Sequence, residues 1–163
     1  MKFATPLAAV ALSLFATTAS AQAVRTEKNM SLDLANQIAT ATVAACSTSG
    51  YNVTAAVVDR AGNLRSLQRA DNAGPHTVGA AQGKAYTSAS ARNTTAAMLE
   101  NVQKNPGAAT LVDIPGFLIL GGGVPVKVGN EVIGAVGVGG APGGHLDEQC
   151  ANAGMAKVAD LLK

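Results

Sequence analysis

The sequence predicts an α/β domain with a five-stranded, mainly antiparallel sheet and helices packed on it. Three observations lead there. Apolar residues recur at helical spacing in four stretches, and β-branched runs bounded by turn residues lie between them. The resulting order, α-β-β-α-α-β-β-β-α, lacks the strand–helix–strand alternation of a parallel sheet.

Ser31 is a good N-cap, Asp33 sits favourably in the first turn, and Leu34, Ile38 and Ala45 keep one face until Gly50 ends the run. The first helix is therefore Ser31 to about Ser49. "YNVTAAVVD" and "LRSLQRA" flank "DRAGN", where Gly62 can take positive φ, so a β-hairpin follows. Pro75 suits the first position of a second helix, in which Val78, Ala81, Ala85 and Ala89 form a narrow stripe of small residues able to sit tightly on a sheet. A third helix runs from Thr94 to about Gln103 and stops at Asn105-Pro106-Gly107, after which "AATLVDIPG" reads as a connector. Three strands then follow, Gly116 to Leu120, Val124 to Val128 and Glu131 to Gly139, the last two joined by the tight turn Gly129-Asn130. The last helix is placed from about Asp147 to Leu162.

At the other end, Lys2, the apolar run "FATPLAAVALSLFA" and the small residues of "TASAQA" make the pattern of a secretory signal peptide, with Ala19 and Ala21 preceding a cut before Gln22. This predicts residues 1–21 as signal peptide, 22–30 as a flexible leader and 31–163 as one domain, periplasmic or secreted. No later apolar run is long enough to span a bilayer, because Lys127, Asn130 and Glu131 interrupt the Gly-rich segment. Basic residues are scattered. Tyr51, Tyr86 and Phe117, the only aromatics beyond the leader, cannot build a stacking platform, which argues against nucleic acid. Cys46 and Cys150 are a candidate disulfide in an exported chain; two small buried hydrophobes are the alternative.

Residues 116–144 hold eleven of the 18 glycines, which raises the question of a phosphate-binding loop. No glycine there is followed by Lys-Ser or Lys-Thr, no G-x-G-x-x-G occurs, and the clusters lie between strands. Nucleotide sites of the P-loop and Rossmann types are excluded. Close backbone approach remains: Gly134, Gly137 and Gly139 would let a helix pack on their strand, and Gly121-Gly122-Gly123 would bend between strands and border a ligand.

"VVDRAGNL", "RADNAGP", "GKAYTSAS", "DIPGFLILGGGVPV", "NEVIGAVGVGGAPGG" and "DEQCANAG" occur in the order seen in the GlcG/HbpS-like heme-binding family, whose domain also forms the C-terminal part of some corrinoid adenosyltransferases. The chain resembles that family from about Met30 to Lys163. The resemblance implies a profilin-like or roadblock-like sandwich, assembly into homo-oligomers, and heme or a related tetrapyrrole as ligand, for heme and iron handling or redox sensing. Heme requires an axial ligand, an apolar slot and cations for its propionates. The two histidines supply the nitrogen donors: His76, at the start of the second helix, is the candidate metal ligand, and His145 the lesser one. Arg69, Arg65 and Lys84 are candidates for carboxylates, with a lysine snorkelling to the surface as the bland reading of Lys84. Tyr86 is a candidate ligand or hydrogen-bond donor, whereas Met98 reads as core. The expected pocket lies between the second helix (His76, Lys84, Tyr86) and the Gly121–Gly123 bend. No G-x-S-x-G, H-E-x-x-H or paired-carboxylate pattern supports catalysis. The competing expectation is a cofactor-free domain acting on a small hydroxy or keto carboxylate.

Overall fold

The computed structural model describes Met1 and residues 23–163; the signal-peptide pattern lies outside the described residues. Helix α1 (Leu32–Thr48) starts as its cap dictates, the Ser31 hydroxyl accepting the Leu34 N–H. Strands β1 (Thr54–Asp59) and β2 (Leu64–Arg69) form the hairpin. Its turn is closed by Asp59, whose Oδ1 accepts the N–H groups of Ala61 and Asn63, with Gly62 at φ +84°. Helices α2 (His76–Ala91) and α3 (Thr95–Lys104) follow, and then strands β3 (Gly123–Val128) and β4 (Glu131–Gly139) and helix α4 (Gly144–Lys157).

The sheet has four strands, not five, in the order β2-β1-β4-β3 with every pairing antiparallel. Residues 116–120, expected as a strand, never join a ladder. The Leu118 N–H donates to the Thr87 hydroxyl on α2 at 2.7 Å, and those of Phe117 and Leu120 close local turns onto Ile114 and Leu118. A short apolar run has the composition of a strand whether or not an edge is free to receive it. The expected connector is largely a 3-10 segment, Pro106–Asp113, with the Asn105 side chain capping Gly107 N–H. Helix α4 begins three residues earlier than expected and gives way to a second 3-10 turn, Ala159–Leu161. The expected leader is anchored at its end: Met30 is buried in the core and donates its N–H to Ile133 O.

Helices cover both faces of the sheet. On one face α1 and α4 bury Ile38, Ala39 and Ala151 against Val57, Val136 and Val138. On the other, α2 lays Ala81, Ala85 and Ala89 on Ala56, Val58 and Ala135. The second layer is held close by glycine: a Cβ on Gly137 would lie 2.1 Å from Ala81 O, and one on Gly139 3.2 Å from Ala80 Cβ. Helices α1 and α4 cross just as tightly at Gly154, where a Cβ would reach Thr42 Oγ1 at 2.2 Å. One turn on from Thr42 in α1 and one turn back from Gly154 in α4, Cys46 and Cys150 are joined as a disulfide with Cα atoms 5.2 Å apart.

The bridge closes a loop of 104 residues, so the Cys46→Ala/Cys150→Ala double variant is expected to lose about 2–5 kcal/mol of unfolding free energy. Urea denaturation measures the loss. Thiol titration of the denatured wild type should find no free thiol, and two free thiols would contradict the bridge.

Candidate functional site

The site grows from one lysine on an otherwise small-residue helix. Lys84 is 2% exposed, so it is not a snorkelling surface residue. Its Nζ donates to Asp147 Oδ2 at 2.7 Å and to Val138 O at 2.8 Å, joining α2 to the first turn of α4 and to the end of β4. Asp147 is 3% exposed and its Oδ1 accepts the Ala141 N–H at 3.0 Å, which fixes the glycine loop between β4 and α4. Burial pushes the Asp147 carboxyl above its ordinary range, against the downward pull of the Lys84 ammonium and the Ala141 N–H.

The triple glycine is the seat of this pair. Gly122, at φ +116°, brings its Cα to where a Cβ would be 2.7 Å from Asp147 Cβ and 3.0 Å from Lys84 Nζ. At Gly123 a Cβ would lie 2.4 Å from Lys84 O, and its N–H donates to the Thr95 hydroxyl at 2.8 Å. Gly122 and Gly123 are buried behind the pair; Gly121 alone of the three lines an open cleft.

Two adjoining clefts open at the start of α4 and share Leu120 and Gly144. The smaller, about 280 Å³, runs between the start of α2 and the loop from Gly139 to Gly143, with His76, Ala80, Lys84 and Asp147 in its walls. The larger, about 590 Å³, lies between α3 and α4 and is lined by Leu99, Gly121, His145 and Glu148 among others. Burial raises the Glu148 carboxyl. The α2 end is pinned, Thr77 Oγ1 meeting Thr54 Oγ1 at 2.7 Å and donating to Gly74 O at 2.6 Å. This sets His76 at the rim, exposed and lying against Gly74, where a Cβ would be 2.7 Å from its Cε1. His145 stands in the same relation to Gly143, with a Cβ 2.8 Å from its Cε1. At the start of α4 the N–H groups of Leu146 and Asp147 turn back to Gly143 O, and those of Gly144 and His145 belong to the helix end that has no intrahelical acceptor.

Of the residues singled out from sequence, His76 and Lys84 thus share one cleft, with Gly121 at its neighbour. Tyr86 does not join them. It lines a separate apolar cleft of about 300 Å³ with Val58, Gly62, Leu64, Gln82, Gly83 and Gly116, its ring edge-on to Phe117 at 6.2 Å. Arg69 is exposed at the end of β2 and donates to Ala73 O; Arg65 is exposed on the same edge strand. Met98 is buried, as read. Sequence reasoning missed Asp147 as a partner. The available signal was a lysine on a stripe of alanines, which needs a buried carboxylate, together with an acidic residue in the first turn after a glycine loop.

Residues 30–156 match the model of a family described as "Haem degrading protein HbpS-like". The chain belongs to the HbpS-like family. Protein GlcG of Escherichia coli (strain K12) is 38% identical over 109 residues, 64% of this chain and 80% of GlcG. The crystal structure of a double mutant of Streptomyces reticuli HbpS superimposes with a TM-score of 0.79 at 36% identity, covering 96% of this chain and 99% of that one. The crystal structure of a PduOC:heme complex shares the fold with a TM-score of 0.70, covering 78% of this chain and 94% of that one at 22% identity.

Exchanging Lys84 for methionine would leave a buried carboxylate without its cation, and Lys84→Met is expected to cost about 3–5 kcal/mol of stability near pH 7. Asp147 has a raised folded pKa, so its contribution is most favourable below about pH 3.9, where both states are protonated, and declines as pH rises through the folded value. Without Lys84 the carboxyl rises further. The penalty should therefore be clearly smaller at about pH 4.5 than at about pH 7 in urea unfolding, and a pH-independent penalty would contradict the pairing.

Proposed function

We propose that the protein is an exported heme- or tetrapyrrole-binding protein whose ligand lies on the glycine loop at the start of α4, with His76 as the axial ligand. One observation carries the reading: an exposed imidazole on a pinned helix end faces a cleft whose opposite wall is glycine backbone, beside a second cleft that shares Leu120 and Gly144. Membership of the HbpS-like family and the heme held by PduOC support it.

The residues present fit the group. A flat macrocycle needs surface it can approach closely, and the stretch from Gly139 to Gly144 offers four glycines with Ala141 and Pro142. Leu120, 46% exposed, and Ala80 supply apolar contact. The amides at the start of α4 that have no intrahelical acceptor give the cleft a positive end suited to propionates. When bound, heme supplies an iron centre for ligand or electron exchange. The protein's own part is to hold an imidazole at the rim, to orient the ring over the glycine loop and to leave Lys84 fixed by Asp147 beneath it.

The signal-peptide pattern of residues 1–21 supports export, and no helix among the described residues is long and apolar enough to cross a membrane. A profilin-like arrangement and assembly of several copies complete the proposal.

Heme titration of the purified protein should give a saturable Soret band near one heme per chain, altered in position or intensity by His76→Ala. A band unchanged in the variant would move the axial ligand elsewhere. No saturable band would overturn the heme reading and direct attention to a small carboxylate in the same cleft.

A further inference from the structure

A third cleft, of about 260 Å³, lies away from this site and shares no residue with it; Arg25, Glu27, Asn29, Arg60, Ala61 and Arg92 line it. Three arginines therefore line one small space, with Glu27 the one acidic residue among its lining. The surrounding ion pairs do not balance the charge. Arg25 meets Glu27 at 2.6 Å, Arg60 meets Glu27 and Glu131 at 3.4 Å each, and Lys28 stands 3.8 Å from Glu131. Arg25, Lys28 and Arg60 share Glu27 and Glu131, Arg92 adds a fourth cation, and the nearby Asp59 carboxylate is taken up by the N–H groups of Ala61 and Asn63.

Two details distinguish this cluster from scattered surface charge. Arg60 is held in place: its side chain is 21% exposed, its guanidinium is gripped by Glu27 and Glu131, and its N–H donates to Asn29 Oδ1 at 2.9 Å. Arg92 takes no part in these pairs. It occupies a left-handed backbone conformation, φ 54° and ψ 30°, at the C-terminus of α2, and is the one non-glycine residue with positive φ among those described. Glycine or asparagine is the usual occupant of that position, because a Cβ there is unfavourable. Arg92 is exposed and lines the cleft together with Arg25 and Arg60, and three like charges around one space favour an anion among them.

We propose that this cleft binds a small oxyanion carrying at least two negative charges, a phosphate- or carboxylate-bearing compound. Arg60 is the preorganised contact and Arg92 the group that closes over the ligand. Guanidinium forks match both oxyanions bidentately, and a dianion cancels the local excess.

The test is calorimetric titration of the protein with pyrophosphate and, separately, with citrate, against sodium chloride of matched ionic strength, in wild type, Arg92→Gly and Lys157→Gln. Saturable binding of either ion to wild type is expected, and whichever binds identifies the headgroup class. Arg92→Gly should bind at least about ten-fold more weakly. Its Tm without ligand should be no lower than that of wild type, since glycine suits the left-handed backbone. Lys157→Gln, which removes a charge outside the cleft, should bind as wild type does. Absence of saturable binding of both ions, undiminished affinity in Arg92→Gly, or an equal loss in Lys157→Gln would each overturn the proposal.

Discussion

A lysine ammonium and an aspartate carboxylate buried 2.7 Å apart set the terms for much of this molecule. Neither charge has access to water, so both must be paired, and pairing them requires α2, α4 and the end of β4 to meet at one point. The glycines follow from that requirement. Gly122 and Gly123 admit the pair, and Gly137 admits the helix that carries Lys84. Asp147 then takes the Ala141 N–H and so gives the glycine loop a fixed shape. Replacing the pair by apolar residues of similar volume is often neutral for stability in other proteins. Its value here lies in geometry: it fixes the loop, and with it the wall opposite His76.

The remaining architecture supports that point from both sides. On the far face of the sheet α1 and α4 cross at Thr42 and Gly154 and are tied one turn away by Cys46 and Cys150. Cys150 is three residues beyond Asp147, so the covalent tie and the ion pair act on neighbouring turns of one helix. On the near face the alanine stripe of α2 lies almost on the backbone of β4. A core of alanine, valine and glycine thus brings backbones close enough for a short cleft to be walled by main chain, and a flat ligand is the kind of partner such a wall accommodates.

Local signals in the sequence carried most of the fold. The Ser31 cap, the Asp59–Gly62 turn, the Gly129-Asn130 turn and the alanine stripe each act within a few residues, and each element they imply is present. The errors share one cause. Residues 116–120 have strand composition, but their amide partners are Thr87 and their own neighbours, a choice made by tertiary contact. Lys84 and Asp147 are 63 residues apart, Tyr86 faces another cleft from Lys84 although only two positions away, and Gly122 and Gly123 turn out to back the ion pair. Motifs mark segments along the chain and do not tell which side of each segment faces a cleft.

Heme is proposed to lie on the glycine loop that Lys84 and Asp147 fix. Hydrogen–deuterium exchange followed by mass spectrometry, with and without heme, tests that placement. Slowed exchange is expected in peptides spanning residues 139–146 and the start of α2, with little change around residues 58–64 and 112–118. Protection confined to those latter peptides, beside Tyr86, would contradict it and place the ligand in the apolar cleft on the other side of α2.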